Sequence, residues 1–308
     1  MARSARPTRR TVLLSALGAA LAAACDRQPD LDVSRLTLAT GPAGATYRES
    51  GAALARVWNK ALAGPVVETL FTEAGVDNSR MLRAGEVDLI FSNVDILRRH
   101  EEVAALLRIF DSVVHLVSLR GSGIRSLTDL RGRPVALGLP GSGTRFTGTR
   151  LLEAAGVEVA SRDLGQQEAA QALVDGEVDA VMSLTAMPTP AISWLLEYGP
   201  PIRFIDLAAE TGTLQKAHPG EYLPVTISST VYPGVRTTNT VAVPTLIAMA
   251  RDFPSDVARV LARATVEEAD TLARTRPEAH QINPRTAAAT APIPLHPGSA
   301  DWFRSQKP

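Results

Sequence analysis

Two glycine-rich loops carry the residues best suited to chemistry in this chain. They are TGPAGATY at residues 40–47 and GSGT at residues 141–144. Glycine lets backbone N–H groups approach a ligand closely, and each loop precedes a helical pattern whose amino terminus favours negative charge. The loops therefore predict a site for a carboxylate. The glycines concerned are Gly41, Gly44, Gly141 and Gly143.

Polar side chains in and near these loops extend the predicted site. Thr46, Ser142 and Thr144 offer hydroxyl groups, and Asn78 offers both a donor and an acceptor. Tyr47 offers a ring as a wall and a hydroxyl for polar ligand atoms. The set suits the head group of an amino acid or hydroxy acid. For each position alone the alternative stays open, since a glycine-rich turn is also a common tight connection and Asn78 also fits an exposed helix face.

Two arginines follow the loops closely. Arg48 and Arg145 each lie in a predicted first helical turn, where a guanidinium can clamp a ligand carboxylate with two hydrogen bonds. A long side chain at that position can equally extend into solvent. Both interpretations stand, and Arg145 is the stronger candidate for the ligand site.

A repeated motif divides the chain into two similar halves. LRAGEVDLIFSN at residues 82–93 and LVDGEVDAVMSL at residues 173–184 share L-x-x-G-E-V-D. Each copy is typical of a helix end, a glycine cap, an aspartate at a strand entrance and a buried strand. Asp88 and Asp179 are interpreted as structural caps, because α/β binding sites cluster at the opposite, carboxyl ends of strands.

The order strand, glycine-rich loop, helix, strand, helix, strand occurs twice and predicts an α/β fold. Apolar residues 106–119 are expected to cross between two lobes, with residues 225–230 and 239–243 crossing back. Residues 244–276 are expected to form a long amphipathic helical stretch. The predicted class is a two-lobed clamshell of the type II periplasmic-binding kind, with crossover strands at the hinge. Lobe 1 would comprise residues 33–118 and 229–308, and lobe 2 residues 119–228.

The first 25 residues predict an export signal. Four arginines precede an apolar run at residues 12–24, which is too short to span a membrane as a helix. The pair Arg9–Arg10 matches a twin-arginine signal, although such pairs also occur in ordinary signals.

Cys25 is the only cysteine, and it lies directly after the apolar run. This position predicts lipoprotein processing before Cys25, with residues 26–32 as a polar tether between a membrane anchor and the folded domain. An ordinary cleavage site with a chance cysteine is the alternative. With one cysteine the chain has no internal disulfide, so its stability must rest on its core.

Composition excludes several classes of function. Removing the four signal arginines leaves 28 basic and 32 acidic residues, which argues against a nucleic-acid partner. The five histidines show no spacing typical of a metal site, no nucleophile elbow is present, and the loop at residues 140–144 lacks the lysine of a phosphate-binding loop. We expect neither an enzyme nor a cofactor.

Five segments in order resemble one receptor family. They are ATGPAGATY, AGVDNSRMLRAGEVDLIFSNVD, LTDLRGRPVALGLPGSGT, TISSTVYPGV and IPLHPGSADWF. Together they resemble the TAXI family (TRAP-associated extracytoplasmic immunogenic proteins) over residues 33–305. Members are solute receptors of tripartite ATP-independent periplasmic (TRAP) transporters.

The resemblance implies a monomeric periplasmic receptor that captures an amino acid such as glutamate, or another small organic acid, and docks on a TRAP permease. The alternative is a sensory receptor that reports to a membrane kinase or another permease. By this resemblance the ligand-facing positions are Thr40, Gly41, Gly44, Thr46, Tyr47, Asn78, Ser92, Asn93, Gly141, Ser142, Gly143, Thr144, Ser183 and Thr185.

Overall fold

The computed structural model of the protein describes residue 31 and residues 33–306. The predicted export signal with Cys25, and the predicted tether apart from residue 31, lie outside the described residues.

The described residues form ten strands and eleven α-helices. The strands are β1 (Leu36–Ala39), β2 (Val67–Leu70), β3 (Leu89–Asn93), β4 (Val103–Leu119), β5 (Pro134–Ala136), β6 (Ala160–Arg162), β7 (Ala180–Thr185), β8 (Ile202–Phe204), β9 (Leu223–Ile227) and β10 (Thr238–Ala250). The helices are α1 (Thr46–Ala61), α2 (Gly75–Arg83), α3 (Val94–Leu97), α4 (Gly143–Ala155), α5 (Gln166–Asp175), α6 (Pro190–Tyr198), α7 (Ala208–Ala217), α8 (Ser255–Glu267), α9 (Ala269–Ala273), α10 (Pro284–Ala287) and α11 (Pro297–Ser305). Short 3-10 helices cover Arg120–Ser122, Leu127–Leu130 and Pro277–Gln281.

All ten described strands join one sheet, in the order β2-β1-β3-β10-β4-β7-β5-β6, with β8 beside β4 and β9 beside β10. Strands β2, β1 and β3 are parallel to each other, and so are β6, β5 and β7. We call residues 36–97 the first half and residues 134–198 the second half. Both halves place their strands in the same order, so the repeat predicted from the motif is present in the fold.

The two copies of the motif occupy equivalent positions. Gly85 and Gly176 follow α2 and α5 with φ of 68° and 76°, the left-handed conformation that favours glycine. The N–H of Asp88 donates to the carbonyl of Thr37 at 3.1 Å, and the N–H of Asp179 donates to the carbonyl of Pro134 at 2.8 Å. Each aspartate thus joins its strand to the first strand of its own half.

Two long strands connect the halves. Strands β4 and β10 pair antiparallel from Val113 and Ala242 to Val103 and Ala250. Strand β10 also pairs with β3 of the first half, and β4 also pairs with β7 of the second half. The predicted crossing strands are therefore present, and β4 begins at Val103 rather than at residue 106.

The predicted helical stretch over residues 244–276 is wrong for its first part. Residues 244–250 belong to β10, and α8 begins only at Ser255. Pro244 lies where the neighbour of β10 changes from β9, paired as far as Ala242, to β3, paired from Thr245. A strand tolerates a residue without an N–H group at such an interruption of its ladder.

Helices cover both faces of the sheet in the second half. Along β4, Val113 and Val117 pack in a cluster with Leu173 of α5 and Ile192 of α6. Val114 and Leu116, whose side chains point to the opposite face of the strand, pack in a cluster with Leu151 of α4 and Leu214 of α7. The strand is apolar on both faces because both faces are buried. Ile90 and Leu97 of the first half belong to a separate cluster, together with Leu246 of β10.

None of the described helices combines the length and the apolar character needed to cross a membrane.

Candidate functional site

A cavity of about 570 Å³ opens between the two halves at the carboxyl ends of their parallel strands. Loops after β1, β2, β5 and β6 line it, together with the ends of β3 and β7. Open α/β sheets place their ligands at this edge, and the volume suits a small organic molecule. Eight of the predicted site residues line the cavity: Gly44, Thr46, Tyr47, Asn93, Ser142, Gly143, Thr144 and Thr185.

The first half contributes the amino terminus of α1. Gly44, with a φ of 74°, turns the chain into this helix. The ring of Tyr47 is buried and stacks on Phe91 with 5.0 Å between the ring centroids, and its hydroxyl donates to Oδ1 of Asn93 at 3.0 Å. Burial raises the pKa of Tyr47 above its usual range, so this phenol remains a neutral hydrogen-bonding group. Thr46 faces the other half, and its Oγ1 lies 2.9 Å from Oγ1 of Thr185.

The second half contributes the amino terminus of α4. Ser142 caps this helix, because its Oγ accepts the N–H of Arg145 at 3.2 Å and donates to the carbonyl of Leu139 at 2.7 Å. Oγ1 of Thr144 accepts the N–H of Leu184 at 3.0 Å. The hydroxyl of Ser142 therefore holds the loop before α4 to the start of that helix, and the hydroxyl of Thr144 holds α4 to β7.

Two glycines allow the halves to touch. A Cβ atom on Gly143 would lie 2.6 Å from Oδ1 of Asn93, and one on Gly141 would lie 2.8 Å from Cβ of Glu73. The carbonyl of Gly141 accepts the N–H groups of Val76 and Asp77 at 3.0 and 3.2 Å, so the loop caps the amino terminus of α2. The two predicted loop glycines thus act in the contact between the halves.

The described lining of the cavity offers backbone N–H donors, and no side-chain cations, to a ligand. Helices α1, α4, α5 and α6 all begin at its wall, and the first N–H groups of a helix have no partner within it. Among the described residues, no hydrogen bond uses the backbone N–H of Thr46, Tyr47, Gly143 or Thr144. No lysine or arginine belongs to the described lining.

Two carboxylates lie at the rim of the same cavity. Glu73 and Glu168 are both exposed lining residues. Oε2 of Glu73 accepts the N–H of Gly141 at 3.0 Å, and Oε2 of Glu168 accepts the N–H of Gly165 at 3.0 Å. These bonds hold one oxygen of each carboxylate, and the site combines backbone donors inside with negative charge outside.

The structure places the other seven predicted residues outside the lining. Asn78 is fully buried, and its amide donates to the carbonyls of Thr40 and Phe91, both at 2.8 Å, while its Oδ1 accepts the hydroxyl of Thr72 at 2.5 Å. This amide ties α2 to the ends of β1 and β3. The remaining residues outside the lining are Thr40, Gly41, Ser92, Gly141, Arg145 and Ser183.

Both candidate arginines have partners within the protein. The guanidinium of Arg145 forms an ion pair with Asp163. That of Arg48 lies over the ring of Phe71, with its Cζ 3.6 Å from the ring centroid.

Sequence reasoning missed one wall of the cavity. Residues 164–169, at the start of α5, line it together with Pro190 and Ala191 at the start of α6. The repeat offered a signal for these residues, since a loop after β6 or β7 must emerge at the same sheet edge as the loop after β5.

A buried polar cluster joins the halves beside the cavity. Oδ2 of Asp95 accepts the hydroxyls of Thr147 at 2.7 Å and Tyr222 at 3.0 Å, and its Oδ1 has no partner within the described chain. Arg150 donates to Glu221 at 2.6 Å and to the hydroxyl of Tyr222 at 2.8 Å. Burial raises the pKa of Asp95 to about 6, against the opposing effects of the two hydroxyls and Arg150.

Within residues 33–306, no three histidine, cysteine, aspartate or glutamate side chains are grouped as metal ligands would be.

The sequence profile of the NMT1-like family matches residues 38–306. Solved structures of several binding proteins share the fold. The MatC protein of Rhodopseudomonas palustris with bound malate aligns over 89% of this chain and 98% of its own, at 16% identity and a TM-score of 0.58. The GluR0 ligand-binding core of Nostoc punctiforme with L-glutamate aligns over 78% and 96%, at 16% identity and a TM-score of 0.52. The periplasmic aliphatic sulphonate binding protein SsuA of Escherichia coli aligns over 89% and 84%, at 16% identity and a TM-score of 0.51. The chain therefore has the clamshell fold predicted from its sequence.

Asp95 gives the folded chain a specific pH dependence. Its folded pKa of about 6 exceeds the ordinary value of 3.8, so the folded state binds this proton more tightly than the unfolded state. The contribution of Asp95 to the free energy of unfolding is complete below about pH 4 and falls by about 3 kcal/mol as the pH rises through 6. Urea denaturation of wild type and Asp95→Asn across this range should show that the variant lacks this decline.

The exposed Asp256, in the first turn of α8, provides the matched control. Asp256→Asn should keep the pH dependence of the wild type. Parallel curves for wild type and Asp95→Asn would contradict the assignment.

Proposed function

The chain belongs to the NMT1-like family, and we propose that it is an extracytoplasmic receptor that captures a small organic acid or amino acid between its two halves. The observation that carries the proposal is the cavity at the carboxyl ends of both sets of parallel strands, walled by helix amino termini from each half. Such a site binds and releases a solute; its described lining contains no histidine or cysteine that would suggest covalent chemistry.

A carboxylate of the ligand would bind the inner wall. The free N–H groups of Thr46 and Tyr47 from one half and of Gly143 and Thr144 from the other can donate to its oxygens, and the helix dipoles add to the attraction. Hydroxyls of Thr46 and Thr185 meet at the same place and can exchange their mutual bond for bonds to the ligand.

The rim favours an amino acid over a dicarboxylate. A second carboxylate would approach Glu73 and Glu168 without a lining lysine or arginine to compensate its charge. An ammonium group would instead be attracted by both. Apolar side chains of Leu139, Met182 and Leu184 complete the lining and leave room for a partly apolar body. An α-amino acid combines these features.

Binding would proceed by closure of the halves about β4 and β10. These strands connect the halves, since β10 pairs with β3 of the first half, β4 pairs with β7 of the second, and they pair with each other; this position makes them the hinge of the proposal. The ligand favours the closed state to the extent that it binds both walls at once. The lobe boundaries predicted from the sequence, residues 33–118 with 229–308 and residues 119–228, are proposed for the two moving bodies.

Delivery to a TRAP permease is the finer proposal, and it rests on the resemblance of five sequence segments to the TAXI family. It requires that uptake of the solute follow an ion gradient rather than ATP.

The contact residues we propose are those of the lining, with the other predicted residues positioning them.

A thermal-shift screen tests the receptor proposal directly. The domain of residues 26–308, without the export signal and Cys25, is refolded to remove carried-over ligand and melted with amino acids, dicarboxylates and alkanesulfonates. A ligand that binds only the folded state raises the melting temperature. At a ligand concentration of about a hundred times Kd, it adds about 2.7 kcal/mol to the free energy of unfolding. We expect the largest shift for an amino acid. No shift in any class would contradict the proposal.

Gly143→Ala should reduce affinity for the solute found in that screen by roughly tenfold. The added methyl group would meet Oδ1 of Asn93 and hold the halves apart. Calorimetry measures the affinity. The control is Gly121→Ala, since no atom lies within 4 Å of a Cβ placed there. Equal affinities in the two variants would refute closure at this contact.

Cys25→Ser tests the proposed lipid anchor. If Cys25 carries the lipid, the variant should move from the membrane fraction to the soluble periplasmic fraction, as followed by immunoblotting of fractionated cells. Retention of the variant in the membrane would show that another element anchors the chain.

A further inference from the structure

A second concave surface lies away from the ligand cavity. It is a groove of about 1020 Å³ formed by β8, the carboxyl end of α6 and the loop of residues 233–237. We call it the arginine groove, because Arg120, Arg125, Arg203 and Arg236 all line it. Neither the predicted ligand site nor the hinge uses these residues.

Four guanidinium groups line the groove against one carboxylate, that of Asp206, which Arg236 attracts electrostatically, so the groove keeps an excess of positive charge. None of the four arginines forms an ion pair with a carboxylate of the described chain. Asp206 is the one carboxylate in the described lining, and its oxygens accept the N–H groups of Ala208 and Asn239, both at 3.0 Å. Clustered guanidinium groups repel one another, so an incoming anion would lower the electrostatic energy of this surface.

The positive potential is local. Behind the predicted cleavage site the chain has 28 basic and 32 acidic residues. A slightly acidic protein thus gathers four cations around one groove, which distinguishes the groove from a generally basic surface that would attract any polyanion.

Apolar and aromatic groups accompany the arginines. Leu196, Phe204 and Val235 line the groove, and Tyr198, at the end of α6 between lining residues 196 and 199, is 69% exposed. Protein interfaces are enriched in tyrosine and arginine around an apolar centre. A flat phospholipid surface would contact the rim of a concave groove but not these apolar groups inside it.

We propose that the arginine groove binds an acidic segment of a partner protein, one in which carboxylates alternate with apolar residues. The carboxylates bind Arg125, Arg203 and Arg236, and the apolar residues pack on Leu196 and Tyr198. Arg120 supports the wall, because its Nε donates to the carbonyl of Ile202 at 3.1 Å.

The test uses the full mature chain and a fluorescent peptide of alternating Glu and Leu residues. Fluorescence anisotropy should show binding at low ionic strength that weakens as salt is added. Arg125→Glu with Arg236→Glu should reduce affinity roughly tenfold or more, since both side chains are exposed and reversal turns attraction into repulsion. Tyr198→Ala should weaken binding severalfold without changing the charge.

Matched controls separate the groove from net charge. Arg56→Glu with Arg274→Glu changes the charge equally at exposed positions outside the groove and should bind the peptide as wild type does. A peptide of alternating Gln and Leu should not bind. Circular dichroism and melting temperature confirm that each variant is folded.

Three outcomes would overturn the proposal. The first is no binding of the acidic peptide to wild type, and the second is equal loss in the groove and control variants. The third is that the protein sediments with phosphatidylglycerol vesicles but not with phosphatidylcholine vesicles, that the groove variants lose this sedimentation, and that no peptide binds. This result would assign the groove to a membrane surface.

Discussion

The antiparallel pairing of β4 with β10 is the constraint on which the rest of the structure depends. Each of these strands also pairs with a parallel strand of one half, β10 with β3 and β4 with β7. The two parallel groups thereby lie on either side of β10 and β4 in one sheet, with their carboxyl ends at a common cavity. The apolar residues of β4 and β10 are buried on both faces of the sheet, in two separate clusters.

The sequence predicted the features that depend on local backbone geometry better than those that depend on tertiary pairing. The repeat around Gly85 and Gly176 reports local backbone geometry, which a motif can encode, and it correctly indicated two equivalent halves. The prediction of a helical stretch from Pro244 is wrong, because proline by itself favours the end of a strand or the start of a helix. In the fold, Pro244 lies within β10 between its pairing with β9 and its pairing with β3, where a missing N–H group is tolerated. Asn78 shows a further limit: its residue type announces hydrogen bonding, but only the fold shows that its partners are the carbonyls of neighbouring strands.

The contact between the halves is formed by small residues and by hydrogen bonds between polar side chains. At the cavity, Gly143 lies against Asn93, and the hydroxyls of Thr46 and Thr185 meet. Beside it, Asp95 of the first half is buried under Thr147 of the second. A buried carboxylate with one unpartnered oxygen costs free energy in the folded state, so this contact holds the halves together less firmly than an apolar contact of equal area would. Such a contact is compatible with the proposed opening of the halves to a solute.

Helix α6 connects the two concave surfaces of the second half. Its first residues, Pro190 and Ala191, line the ligand cavity, and Leu195 and Leu196 near its end line the arginine groove. The N–H of Thr189 donates to the hydroxyl of Tyr232 at 2.7 Å, next to Pro233 in the groove wall. A solute that draws the start of α6 toward the first half would therefore move a helix whose other end forms part of the groove. If that motion shifts the end of α6 relative to the loop of residues 233–237, a partner in the groove binds the filled and empty forms with different affinity, and by linkage it alters solute affinity by the same factor.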